Sequence, residues 1–188
     1  MTYRFRSHVN IPFHICDHAR RRHSVTHVDV CLMRDLYAVL GFVVKSEGEW
    51  INLEARTIAS AIAVFQYNND HQFSPANRMI IPCISMFLRR PTFYKVPVTA
   101  ELYDAVKMGE FSASPTIVER CVVTAHHIPE CWGIELPEYR QLALPHFVAF
   151  HTLLKSCWPS FYPQNMPISG GNKTLNVGAF VTPNAEEE

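Results

Sequence analysis

A chain of 188 residues with 48% hydrophobic residues is long and apolar enough for one packed core, which excludes a disordered chain. Seventeen basic and 17 acidic residues give a formal net charge of zero, which argues against a surface devoted wholly to nucleic acid. Neutrality also removes the repulsion that keeps copies apart, so contact with a partner or with further copies is expected.

Twelve of the 17 basic residues are arginine, the side chain better suited to interface and phosphate contacts. Thirteen prolines against seven glycines predict stiff loops. Met1 to Cys16 lacks the apolar run of a signal peptide. No apolar stretch reaches the roughly 18 residues of a transmembrane helix. The six cysteines are therefore read as thiols of a reducing, cytoplasmic compartment rather than as a disulfide set.

In chain order, residues 8–18 alternate, with Val9, Ile11, Phe13 and Ile15 on one face and His8, His14, Cys16 and His18 on the other. Pro12 confines this strand to an edge or an arm. Residues 24–32 alternate again and are expected to pair with it across a turn containing Arg20, Arg21 and Arg22. Asp35 to Val44 has the spacing of a helix, through Leu36, Val39, Leu40 and Val43. A second helix is predicted from Leu53 to Tyr67 with Asn52 as its cap.

Met79 to Leu88 reads as a strand broken by Pro82 and closed by Arg89, Arg90 and Pro91. Thr99 is placed to cap a short helix through Met108, ended by Gly109. Thr116 to Ala125 alternates as a strand. Pro137 to Trp158 is helical in pattern, and Pro145 predicts a kink or a split. From Pro159 to Glu188 prolines and glycines punctuate an apolar segment, with one late strand expected over Thr174 to Thr182. The pattern as a whole predicts an α+β fold: a helical middle and C-terminal half on short, mostly antiparallel strands. It divides into one domain over residues 1–158 and an extended C-terminal arm over 159–188, with an N-terminal arm as well.

Five of the ten histidines fall in the first 31 residues, together with two cysteines. Cys16, His18, His27 and Cys31 form a candidate zinc set, because the paired strands would bring imidazole and thiolate ligands to one face. The alternative is a solvated polar face on an edge hairpin. Cys121, His126, His127 and Cys131 form a second candidate set at the end of a strand. There the alternative is a strand thiol with exposed loop histidines. Arg20, Arg21 and Arg22 are candidate phosphate contacts, extended by Arg4, Arg6, Arg89 and Arg90. The competing role is a charged turn that protects an edge strand.

His146 and His151 stand about 140° apart on a helix, so no paired-histidine metalloprotease motif is present. His151 shares the apolar stripe with Phe147 and Leu154 and is expected in the core. Cys131-Trp132 and Cys157-Trp158 resemble the Cys-Trp pair of papain-like proteases over two residues only. The resemblance implies a nucleophilic cysteine, but His146 and His151 follow Cys131 closely, unlike the long separation in those enzymes. Glycine-rich phosphate loops, the G-x-S-x-G elbow and the deaminase pattern are all missing.

Three functions are therefore weighed. The first is a non-enzymatic, self-assembling structural protein forming a homo-oligomer or lattice, of the type found in viral coats, matrices and inclusions. In such an assembly ten histidines would make contacts pH-sensitive. The second is a zinc-stabilised protein that binds RNA, DNA or an acidic partner through Arg20–Arg22. The third is a cysteine-dependent enzyme.

Overall fold

The computed structural model describes residues 3–14, 24–34, 38–46, 50–71 and 75–157. They form six strands and three helices. The order is β1 (Tyr3–Phe13), β2 (Ser24–Arg34), β3 (Ala38–Ser46), α1 (Trp50–Asp70), β4 (Arg78–Phe87), β5 (Arg90–Thr99), α2 (Ala100–Met108), β6 (Glu119–Val122) and α3 (Pro137–Cys157). The strands make one sheet whose spatial order matches the chain order, β1-β2-β3-β4-β5-β6. Every neighbour pair is antiparallel except β3–β4, which is parallel and joined by the α1 crossover. The α+β class follows.

The first hairpin forms, with Ile11 opposite Thr26 and Asn10 opposite His27, but β1 runs over Tyr3–Phe13 rather than 8–18, and residues 15–18 lie outside the described residues. β1 is an edge strand, as Pro12 requires. The helix expected over Asp35 to Val44 is instead β3 from Ala38 onward, residues 35–37 lying outside the described residues. Its pairing with β2 steps from Leu32↔Gly41 to Met33↔Val39, so Leu40 is an extra residue that hides the period of two. Beyond the last backbone pair, Val30↔Val43, the Asp29 carboxylate accepts from the Lys45 amide at 2.7 Å and prolongs the seam.

The predicted second helix exists but is longer, beginning at Trp50 rather than after Asn52. It buries Leu53, Thr57 and an unbroken run from Ser60 to Gln66 over β1 to β5. Met79, Ile81 and Cys83 of β4 and Tyr94, Val96 and Val98 of β5 meet it. Fully burying such a side chain stabilises the fold by about 1.5–3 kcal/mol. Thr26 Oγ1 and Ser60 Oγ lie 2.7 Å apart between β2 and α1.

Pro82 does not break β4. The β3 ladder begins only at Phe42↔Cys83, so Pro82 lies where no β3 partner is present. β5 is not expected from the sequence: Pro91 to Tyr94 are all buried, and only Tyr94 to Thr99 alternate. α2 forms as expected: Thr99 Oγ1 accepts from the Leu102 amide at 3.1 Å, and Gly109 ends the helix at φ 73°. The strand expected over Thr116 to Ala125 shrinks to the four residues of β6, all exposed.

α3 covers the other face of the sheet over β3 to β5. It is continuous through Pro145, which is exposed. Tyr139 and Ala143 pack with Ile84 and Phe93 in a second core cluster. Phe93 meets the Phe147 ring edge-on at 5.0 Å. A Cβ at Gly41 would stand 2.9 Å from Leu154 Cδ1, so α3 lies close on β3. Among the described residues no helix is long and apolar enough to cross a membrane. The C-terminal arm and its late strand lie outside the described residues.

Candidate functional site

Cys16, His18 and Arg20–Arg22 lie outside the described residues. Of the first candidate zinc set, His27 is exposed on β2 while Cys31 is fully buried. Val28 and Cys31 both point into the core, so the inward-facing phase of β2 changes between them and His27 and Cys31 do not share one open face. Burial pushes the Cys31 thiol up, partly offset by Arg6.

The second set stays apart as well. Cys121 sits on β6, while His126, His127 and Cys131 lie on the loop that follows, and all four are exposed. Among the described residues no three His, Cys, Asp or Glu side chains gather closely enough to hold a metal ion. Nor does a histidine bond the Cys131 thiol among them. His151 is exposed rather than in the core, because the inward stripe of α3 runs through Ala143, Phe147, Phe150 and Leu154. His146 is the half-buried one, stacked 6.1 Å from Phe93 with Nδ1 2.9 Å from the Leu142 carbonyl oxygen.

What orders this loop is the turn between β4 and β5. Arg90 donates from Nε to the Trp132 carbonyl at 2.7 Å, and from one terminal nitrogen to the carbonyls of Ile128 and Pro129 at 2.9 and 2.8 Å. Its guanidinium carbon stands 4.8 Å above the Tyr139 ring. One planar cation thus gathers three carbonyls and an aromatic face, a task matched to the arginine fork. Arg89 pairs with Glu135 at 3.3 Å, and its carbonyl accepts from the Ile134 amide at 3.0 Å. Arg89 and Arg90, two of the four arginines expected to extend a basic patch, are engaged by partners in the same chain.

Gly133 is required where the loop meets the turn, since a Cβ there would stand 2.1 Å from the Arg89 carbonyl oxygen. Glu135 accepts from the Gly133 amide at 3.0 Å. Partial desolvation raises the Glu135 pKa, but the amides of Glu135 and Gly133 and the Arg89 guanidinium outweigh it, and the net value falls below the ordinary one. Tyr139 is fully buried and its hydroxyl finds no hydrogen-bond partner among the described residues. Burial pushes its pKa up, with Arg90 opposing. The arginines lie some 40 residues from these partners, a separation no local spacing could reveal.

The arrangement ties the loop after β6 to the turn between β4 and β5. Among the described residues, the loop presents the Cys131 thiol, the His126 and His127 rings and the half-exposed Trp132 to solvent, beside the Cys121 thiol of β6. Apolar side chains stand in solvent elsewhere too: Phe5, Phe111 and Ile117 are 78%, 101% and 79% exposed. No family model, curated protein or solved structure matches the chain.

Proposed function

We propose that the protein is a non-enzymatic structural element that assembles with copies of itself. The observation that carries this reading is the amount of large apolar side chain left in solvent on an uncharged chain. Phe5, Phe111, Ile117, Leu144 and Val148 are each more than half exposed, while the formal net charge is zero. Such residues on an otherwise well-packed body favour association, and nothing in the net charge opposes it.

The β1 edge of the sheet is a poor route to assembly. Arg4, Arg6 and Pro12 line β1, and the His14 amide donates to Gln66 Oε1 at 3.1 Å instead of standing open. Contact through side-chain surfaces is the mode the exposed residues favour. Light scattering coupled to size-exclusion chromatography, over a range of concentrations, tests the reading. A mass of two or more chains is expected. A single-chain mass at the highest concentration would reject it.

A further inference from the structure

We infer that the outward face of α3 is the contact between two copies of this chain, packed antiparallel about a two-fold axis. The inference rests on the self-assembly reading and names its surface. At about 100° per residue, Gln141, Leu144, Pro145, Val148, Ala149 and Thr152 form one stripe on α3, and all six are exposed. Leu144 and Val148 are 58% and 62% exposed although they sit in the middle of a 21-residue helix. No Asp, Glu, Lys or Arg occurs from Gln141 to Leu154. A helix exposed to water alone would carry charge on this side.

The ends of the stripe name the occupant. Glu138 lies in the first turn and Lys155 in the last, both exposed and neither bonded to another described residue. They project within about 50° of the stripe's centre and lie about 25 Å apart along the axis. A second α3 laid antiparallel sets Glu138 against the partner's Lys155 and Lys155 against the partner's Glu138. One two-fold operation thus satisfies both pairs, the self-complementarity an isologous contact needs. In the same register Pro145 meets the partner's Val148 at the middle of the stripe. Antiparallel helix dipoles add to the match. A parallel arrangement would set Glu138 against the partner's Glu138 and is excluded by the same charges.

The test is sedimentation equilibrium of the full chain and its variants, with circular dichroism to check that each keeps its helix. The unaltered chain is expected to dimerise. Val148→Glu sets two carboxylates in the apolar centre and is expected to weaken the dimer at least a hundredfold, on the order of the cost of burying unpaired charge. Glu138→Lys or Lys155→Glu alone replaces two attractions with two repulsions, and each is expected to weaken it roughly tenfold. The double variant Glu138→Lys with Lys155→Glu is expected to recover the original affinity, which only an antiparallel α3 contact predicts. An oligomer indifferent to all three charge changes would overturn this contact while leaving self-assembly standing. A drop in melting temperature for Val148→Glu with unchanged mass would overturn it too, because the face would then be covered from within the chain. A monomeric unaltered chain at every concentration would overturn both readings.

Discussion

Asn68 on α1 holds Val39 on β3 as a neighbouring strand would. Its Oδ1 accepts from the Val39 amide at 2.8 Å and its Nδ2 donates to the Val39 carbonyl at 2.9 Å. Both residues are fully buried, so water cannot replace the pair.

Asn68→Leu keeps the side-chain volume and removes both bonds. It leaves a buried N–H and a buried C=O unmatched, a loss of about 2–5 kcal/mol. Urea unfolding should show the midpoint falling with an unchanged slope. A stability within about 0.5 kcal/mol of the unaltered protein would show that β3 does not depend on this clamp.

Arg90→Lys retains the charge but not the fork. A single ammonium cannot serve the carbonyls of Ile128, Pro129 and Trp132 together while stacking on Tyr139. The expected cost is about 2–4 kcal/mol, from hydrogen bonds to a charged donor and the lost cation–π contact. Hydrogen exchange should rise first in residues 126–136, ahead of global unfolding. Uniform protection across the loop in the variant would contradict the role assigned to Arg90.

Glu135 sets an acid limit. Its folded pKa lies below the ordinary carboxylate value of about 4.3, so its contribution to stability is present above that pH and disappears as pH falls through the folded value. Glu135→Gln cannot form the ion pair with Arg89 at any pH. The melting-temperature gap between the two proteins should be widest at pH 6 to 7 and narrow steadily below about pH 4. A constant gap down to pH 2.5 would remove Glu135 from the account of acid stability.

Thiol chemistry reports the burial directly. Cys121 and Cys131 are exposed, whereas Cys31, Cys83 and Cys157 are buried. Burial pushes all three of the latter thiols up, Cys83 most clearly, which leaves little thiolate to react. Iodoacetamide followed by peptide mapping should modify Cys121 and Cys131 in the native protein and the other three only after denaturation. Repeating the labelling with zinc tests the candidate ligand sets, since a coordinated thiolate is protected. Fast native modification of Cys83 would contradict the packing of α1 on β4.

Much of the architecture was legible where one periodicity ruled. The first hairpin followed from alternation, and α2 from Thr99 and Gly109 at its two ends. Failure came where periodicity was broken or doubled. Leu40, the extra residue in β3, turned a period of two into an apparent helical spacing across Val39 and Val43. β5 is covered by helices on both faces, so Pro91 to Tyr94 are all buried and alternation is confined to the stretch from Tyr94 to Thr99. Pro145 argued for two helices, yet α3 runs unbroken through it with the ring on the exposed side of the helix.

The candidate site was less legible than the fold. Local sequence brought cysteines and histidines to notice, but placement in space decided what they could do together. Burial removed Cys31 from His27, and among the described residues His126, His127 and Cys131 do not gather into a ligand set. The residues that organise that loop, Arg90 and Tyr139, are joined by tertiary geometry alone.

The matching of strand order to chain order has a bearing on synthesis. As the polypeptide leaves the ribosome, β2 can pair with β1 and β3 with β2 at once, each neighbour being already made. β3 must then wait through α1 and on to Phe87 before its other flank is occupied. During that interval the apolar Val39, Phe42 and Val44 border an open flank. The nascent chain is then most exposed to misassociation, and a holdase chaperone would have its longest opportunity there.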